Sequence, residues 1–341
     1  MNKLVTKMIP FLVLFCLSPL MTPADGQAKE KYIIKFATVA PEGSTWVNFM
    51  RQLDQTLRQK SNGQIEFKIY AGGIFGDEMD VLRKIRIGQV HCAAFSGVGI
   101  TQILPEARIL DLPFLFKNTE EVDLVHRKLL DYFSKGFKTK GFTLLSWAEV
   151  GDVHLFSKKP INRVDDLKGL KIWTWSGDPI SKETFSVMGS NPIPLSITDV
   201  TMALNRNMID TVYAPPLGAL ALQWNVYVKY MTAMPMAHAT GAVLIINKVY
   251  DKLPPDLREL LNNEFKKAMS DLTLELRKQS EQAIDEIQKQ GVTVIPEPVG
   301  QDLEAFYKVH QQVAANLSNK VFPEELLQNI YKILNQSRAK P

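Results

Sequence analysis

The sequence predicts an α/β protein of two lobes, each built around a parallel sheet. Its most informative segment is 165–216, in which strand-like apolar runs alternate with helix-like segments in the order β-α-β-α-β. Segment 31–99 shows the same order, and each of its strands ends in a loop of small residues. This alternation is typical of parallel sheets, whose ligands bind beyond the carboxyl ends of the strands.

The elements of these segments follow from local patterns. In the first segment we predict strands at 31–40, 64–70 and 91–95, apolar residues alternate along the second of them, and Ser44 is the expected N-cap of the first helix. The second segment contains predicted strands 170–175, 191–195 and 208–214 and helices 178–188 and 197–205. Trp173 and Trp175 stand two apart on one strand, so both side chains point to one face.

The rest of the chain connects and braces the lobes. We predict a helix at 119–137, strands at 143–150, 153–157, 230–236 and 242–247, a long helix at 256–290, and carboxy-terminal helices at 301–317 and 323–334. The chain is expected to cross into the second lobe at 150–152 and to return near 242, and two crossings make a hinge. The predicted organisation is a signal peptide at 1–28, a first lobe at 29–150 completed by 239–255, a second lobe at 151–238, a spanning helix at 256–291, and a strand with helices at 292–341 packing on the lobes.

The amino terminus has the pattern of a secretory signal peptide. Lys3 and Lys7 precede an apolar run at 8–21, and small residues follow it. Cleavage is predicted after Ala28, with Ala24 as an alternative. An uncleaved anchor is the other interpretation, although the apolar run is short for a membrane span.

Composition excludes several classes of function. The formal net charge of +4 is small for 341 residues and does not indicate nucleic-acid binding. After signal cleavage Cys92 is the remaining cysteine, so no internal disulfide is expected and a buried, inert thiol is favoured. Histidines are scattered and no zinc, phosphate-loop or nucleophile-elbow motif is present, so we expect no metal, no cofactor and no catalysis.

The order of motifs resembles the solute-binding proteins of tripartite ATP-independent periplasmic (TRAP) transporters, the DctP-like family. The matching stretches are FATVAPEGSTW, IEFKIYAGGIFGDEMDVLRKIRIGQV, RILDLPFLF, FSKKPINRVDDLKGLKIW, MGSNPIPLSITDVTMALNRNMID and KLPPDLRELL. The resemblance implies a two-lobe periplasmic-binding-protein fold with an inter-lobe cleft and a long hinge-spanning helix. It also implies capture of a small organic solute in the periplasm and its delivery to the small and large membrane permease subunits.

Two positions depart from the pattern of this family. The resemblance would place a carboxylate-binding arginine where this chain has Trp173, and an asparagine near Tyr213 and Ala214. An arginine pairs with a carboxylate through two parallel hydrogen bonds, which an indole cannot do. We therefore expect an amphipathic, hydrophobic or aromatic-bearing ligand, and any carboxylate on it would have to meet another cation.

The residues predicted to line the cleft share a position at or near the end of a strand. They are Trp46, Ser96, Gly97, Trp147, Glu149, Trp173, Trp175, Asp178 and Tyr213. For the tryptophans the alternative is a core role, and for Asp178 it is a plain N-cap with Pro179 in the first helical position.

Two other functions remain open from the sequence. A periplasmic sensory or scavenging receptor would have the same lobes without a transporter, and a secreted enzyme would show turnover of its ligand. A periplasmic helical-repeat protein is a further candidate partner, because some members with apolar clefts use one.

Overall fold

The computed structural model describes residues 30–339, so the predicted signal peptide lies outside the described residues. The strands are β1 Tyr32–Ala37, β2 Ile65–Tyr70, β3 Cys92–Phe95, β4 Phe142–Ser157, β5 Trp173–Trp175, β6 Ile193–Leu195, β7 Thr211–Ala214, β8 Tyr230–Thr232, β9 Ala237–Ile246 and β10 Thr293–Ile295. The α-helices are α1 Thr45–Lys60, α2 Glu78–Arg86, α3 Gly97–Ile103, α4 Thr119–Lys128, α5 Leu130–Thr139, α6 Pro179–Val187, α7 Val200–Asn205, α8 Pro216–Ala221, α9 Asn247–Tyr250, α10 Pro255–Lys289, α11 Gly300–Leu317 and α12 Glu324–Arg338.

The first lobe has the predicted parallel β-α-β-α-β unit. Strand β1 lies between β2 and β3 and pairs in parallel with both, and β9 then adds antiparallel to β3. Helix α1 begins as predicted, because the Ser44 side chain accepts a hydrogen bond from the backbone N–H of Val47. Its buried stripe, which includes Met50 and Leu57, packs in one core with Phe265 of α10.

The second lobe contains the other predicted unit. Strands β5 and β6 pair in parallel, and Ile172 forms a parallel bridge to Thr211 at the start of β7. Strand β7 runs antiparallel to β4, as does β8, and β10 pairs in parallel with β8. This unit is therefore joined to the carboxyl-terminal part of β4 through β7.

The predicted break between strands 143–150 and 153–157 is wrong. Both belong to β4, a single strand of 16 residues that pairs with β9 along its first part and with β7 and β8 along its last. Irregular pairing between Glu149 and Gly151 accommodates the change, and Gly151 has a φ of +112° that residues with a side chain rarely adopt. Strands β4 and β9 thus carry the chain between the lobes.

Other differences are shorter in range. The predicted helix 119–137 is two helices, because α4 ends at Lys128 and α5 restarts at Leu130. Of the predicted strand 230–236, only Tyr230–Thr232 forms a strand, which is β8. The buried thiol of Cys92 agrees with the prediction, and burial raises its pKa.

Helix α10 braces the structure. Its 35 residues span about 50 Å at 1.5 Å per residue, and it contacts α1, β4 and α8. It ends before Gly291, which takes a φ of +93°. Helix α11 packs on α6, and α12 packs on α4. In the stretch from 30 to 339, none of the helices combines the length and the apolar character needed to cross a membrane.

Candidate functional site

A cavity of about 430 Å³ is lined by residues at the ends of strands from both lobes. One wall comes from the loop after β1, the start of α1 and the β3–α3 junction. The opposite wall comes from β5, the start of α6 and the β7–α8 junction. Among the predicted site residues, those that line it are Trp46, Ser96, Gly97, Trp173, Trp175, Asp178 and Tyr213.

Trp147 and Glu149 do not line this cavity, in contrast to our prediction. Strand side chains alternate, and it is Ala148 and Val150 that reach the cavity. Trp147 instead stacks on His126 with ring centroids 5.1 Å apart. Glu149 forms an ion pair with Arg277 of α10, with an Nη2–Oε2 distance of 2.7 Å.

Aromatic rings dominate the wall formed by the second lobe. The Trp173 ring stacks on Tyr213 with centroids 4.9 Å apart, and the Trp224 ring meets Trp173 edge-on at 5.3 Å. Trp173 is 2% exposed, so it belongs to the core of this lobe and also lines the cavity. Burial raises the pKa of the Tyr213 phenol, which keeps this wall uncharged.

The indole N–H groups of this wall and of Trp46 are all bonded to protein. Trp173 donates to the Leu195 carbonyl at 3.1 Å, and Trp175 donates to the Asp77 carboxylate at 2.9 Å. Trp224 donates to the Thr201 hydroxyl, and Trp46 donates to a backbone carbonyl. The rings therefore offer a bound molecule carbon surface and π faces rather than hydrogen bonds.

A buried ion cluster at one end of the cavity was missed in the sequence. Arg108 is 3% exposed, and its guanidinium donates to Asp111 through Nη1 and to Asp178 Oδ1 through Nη2, at 2.8 Å for the latter. Asp178 also caps α6 by accepting from the Ile180 N–H, so its cavity-lining position and the alternative N-cap role occur together. The available signal was a lone arginine inside the apolar stretch ARILDLPFLF, since a charge is rarely buried without a partner.

Gly97 makes room for this cluster. A Cβ at residue 97 would lie 2.4 Å from Nη1 of Arg108, so the guanidinium packs directly on the backbone of α3. Gly97 therefore contributes to the site by leaving the space that the Arg108 guanidinium fills.

Glu78 is a second acidic group that the sequence did not reveal. It lines the cavity at 2% exposure and accepts hydrogen bonds from the backbone N–H and hydroxyl of Ser96 and from the Gly99 N–H. Burial raises the pKa of Glu78 to about 7. The backbone N–H and the hydroxyl of Ser96 are therefore already bonded to Glu78.

This shift predicts a pH dependence of stability. The folded-state pKa of Glu78 lies above its ordinary value of 4.5, so the folded chain holds this proton more tightly than the unfolded chain. Its contribution is complete below the unfolded value and is lost as the pH rises towards 7. We expect the free energy of unfolding to fall over this range by on the order of 3 kcal/mol from this group.

Urea unfolding at a series of pH values measures this effect. Glu78→Gln should flatten the decline, whereas Glu304→Gln, at an exposed position, should leave it unchanged. An unaltered slope in Glu78→Gln would contradict the assignment.

Two links join the opposite walls of the cavity. The first is the Arg108–Asp178 ion pair. The second is Asp77, the N-cap of α2, whose Oδ2 accepts from Trp175 Nε1 and from the Ser196 hydroxyl at 2.6 Å. Both links connect residues on opposite walls, so the two walls are held together across the cavity.

Metal chemistry has no evident site in the described part of the chain. Between residues 30 and 339 no group of three or more histidine, cysteine, aspartate or glutamate side chains is placed to hold a metal ion.

Comparison with protein families gives a match over most of the chain. The model for "Bacterial extracellular solute-binding protein, family 7" matches residues 36–320. The 2,3-diketo-L-gulonate-binding periplasmic protein YiaO of Escherichia coli is 25% identical over 72% of this chain and 75% of its own length. The C4-dicarboxylate-binding periplasmic protein DctP of Rhodobacter capsulatus is 22% identical over 87% and 90%, respectively.

Solved structures give the same fold. A TRAP periplasmic solute-binding protein from Desulfovibrio salexigens, with bound orotic acid, superposes with a TM-score of 0.82 at 19% identity. The match covers 90% of this chain and 98% of that structure.

Proposed function

Because the chain belongs to the bacterial extracellular solute-binding protein family 7, we propose that its cavity captures a small organic molecule with an apolar or aromatic body. Proteins of this family are periplasmic, bind small solutes and work with membrane permease components of TRAP transporters. The observation that carries the proposal is the aromatic wall of Trp173, Trp175, Tyr213 and Trp224, in which each indole N–H is already bonded to protein.

The contrast with relatives supports this choice of ligand. The named relatives bind C4-dicarboxylates and 2,3-diketo-L-gulonate, which are small and highly polar. Here the cavity position expected to hold a cation is Trp173, and burying apolar ligand surface against such rings is worth about 25 cal/mol per Å². A ligand with a substantial apolar body therefore gains more in this cavity than a dicarboxylate does.

Delivery would follow the two-lobe design. The first lobe, at 29–150 and completed by 239–255, would close on the second, at 151–238, by bending β4 and β9. Closure expels water and presents a new surface to the small and large permease subunits. Export would use the signal peptide at 1–28, and a periplasmic helical-repeat protein is a suitable additional partner for an apolar ligand. In this proposal the cavity binds its ligand and does not catalyse a reaction.

The ligand class can be tested without knowing the ligand. Mass spectrometry of small molecules released from the purified protein should identify a compound with an apolar or aromatic body. Calorimetry with succinate and malate should show no binding at about 1 mM, whereas a micromolar affinity would give an easily measured heat. Tight succinate binding that persists in Trp173→Ala would overturn the proposal.

A further inference from the structure

The cavity holds more carboxyl groups than cations. Its charged lining residues are Glu78, Arg108, Asp111 and Asp178, which is one guanidinium against three carboxyl groups. Arg108 already pairs with Asp111 and Asp178. A ligand carboxylate placed beside this cluster would thus meet an excess of negative charge and no free cation, and like charges at short range in a buried site repel strongly.

The same cluster has an unused donor and an unused acceptor. The buried Nε–H of Arg108 has no acceptor among the described residues. Both hydrogen bonds of the Asp178 carboxylate fall on Oδ1, and no donor within residues 30–339 is bonded to Oδ2. A buried donor without a hydrogen-bond partner destabilises the protein. A bound group that supplies an acceptor oxygen removes this cost and therefore binds more tightly.

Several other polar groups around the cavity already donate hydrogen bonds to the protein. Besides the indole N–H groups, the hydroxyls of Thr45, Ser96 and Thr184 donate to Gln279, Glu78 and the Ile180 carbonyl. Among the charged groups that line the cavity, the Arg108–Asp178 pair therefore offers a ligand both an unused donor and an unused acceptor.

We propose that this pair recognises an uncharged polar group, such as a carboxamide or hydroxyl, which accepts from Arg108 Nε–H and donates to Asp178 Oδ2. The ligand is then a neutral amphipathic molecule with an apolar or aromatic body, which rests on the function proposed above. An ammonium group fits less well, because it would lie beside the guanidinium and bring three donors to a single free oxygen.

Matched probes with one body and different polar ends test this inference. Calorimetry at pH 7.5 would compare 4-phenylbutanamide and 4-phenylbutan-1-ol with 4-phenylbutyrate and 4-phenylbutylamine. A parallel series would compare octanamide and octan-1-ol with octanoate and octylamine. In at least one series, we expect the amide or the alcohol, whichever binds more tightly, to bind at least tenfold more tightly than the acid and the amine of that series.

Asp178→Asn gives the matched variant. Asparagine is also a good N-cap, so α6 should remain intact while one negative charge is removed. We expect the affinity for the acid to rise relative to the amide by about tenfold, since one repulsive carboxylate is lost. An unchanged acid-to-amide ratio would overturn the inference.

The outcomes separate this inference from the proposed function. Tightest binding of an acid or an amine would overturn the neutral-ligand inference and leave the apolar-body proposal standing. Failure of every member of both series to bind would overturn both.

Discussion

Trp173→Ala is expected to lower both stability and ligand binding more than any other single truncation in the cavity wall. The side chain is 2% exposed and contacts the rings of Tyr213, Trp175 and Trp224. Removing a large buried aromatic side chain costs about 3–5 kcal/mol, which is a large part of a typical folding free energy. Urea unfolding gives the stability loss, and calorimetry with the released ligand gives the change in affinity.

Trp147→Ala is the matched control for this variant. Trp147 packs on His126, Phe133 and Phe137 outside the cavity, so its removal should also destabilise the fold. Affinity for the ligand should stay within about twofold of wild type at a temperature where both variants are folded. Equal losses of affinity in the two variants would show that Trp173 acts only through the core.

Arg108→Met is expected to destabilise the protein by about 3–5 kcal/mol, because it leaves two buried carboxylates without their cation. Asp111 would keep its bond from the Thr240 N–H, and Asp178 would keep its capping bond to Ile180. Adding Asp178→Asn to this variant should recover part of the loss, since one uncompensated charge is removed. Urea unfolding of the single and double variants measures both changes.

Arg83→Met serves as the comparison for Arg108. Arg83 pairs with Asp80 on an exposed face of α2, where such pairs contribute little. We expect a change within about 0.5 kcal/mol for Arg83→Met. A similar small change for Arg108→Met would indicate that the buried cluster is not held by its charges.

Local patterns were sufficient to predict most of the architecture. The alternation in IEFKIY and the Ser44 cap gave β2 and α1 correctly, and the parallel pairing of β5 with β6 follows from the β-α-β order. Where the prediction was wrong, local signals were weak. The crossing predicted at 150–152 lies within a continuous strand with irregular pairing at Gly151, and the change of helix at Leu129 has no proline or glycine to mark it.

The candidate site could be predicted only in part, for a different reason. Position along a strand, together with the family resemblance, predicted that Trp173, Trp175 and Tyr213 line the cavity. It does not tell which partner a polar side chain meets. Arg108 and Asp178 are 70 residues apart, and Trp175 and Asp77 are 98 apart, so these pairings depend on the packed fold.

The unbroken course of β4 limits how the molecule can be dissected. A fragment cut near Gly151 would separate the residues of β4 that pair with β9 from those that pair with β7 and β8. Each fragment would present unpaired strand edges to solvent, and such edges invite aggregation. We expect the halves to be insoluble when produced separately, so that the smallest unit able to fold is the complete two-lobed chain.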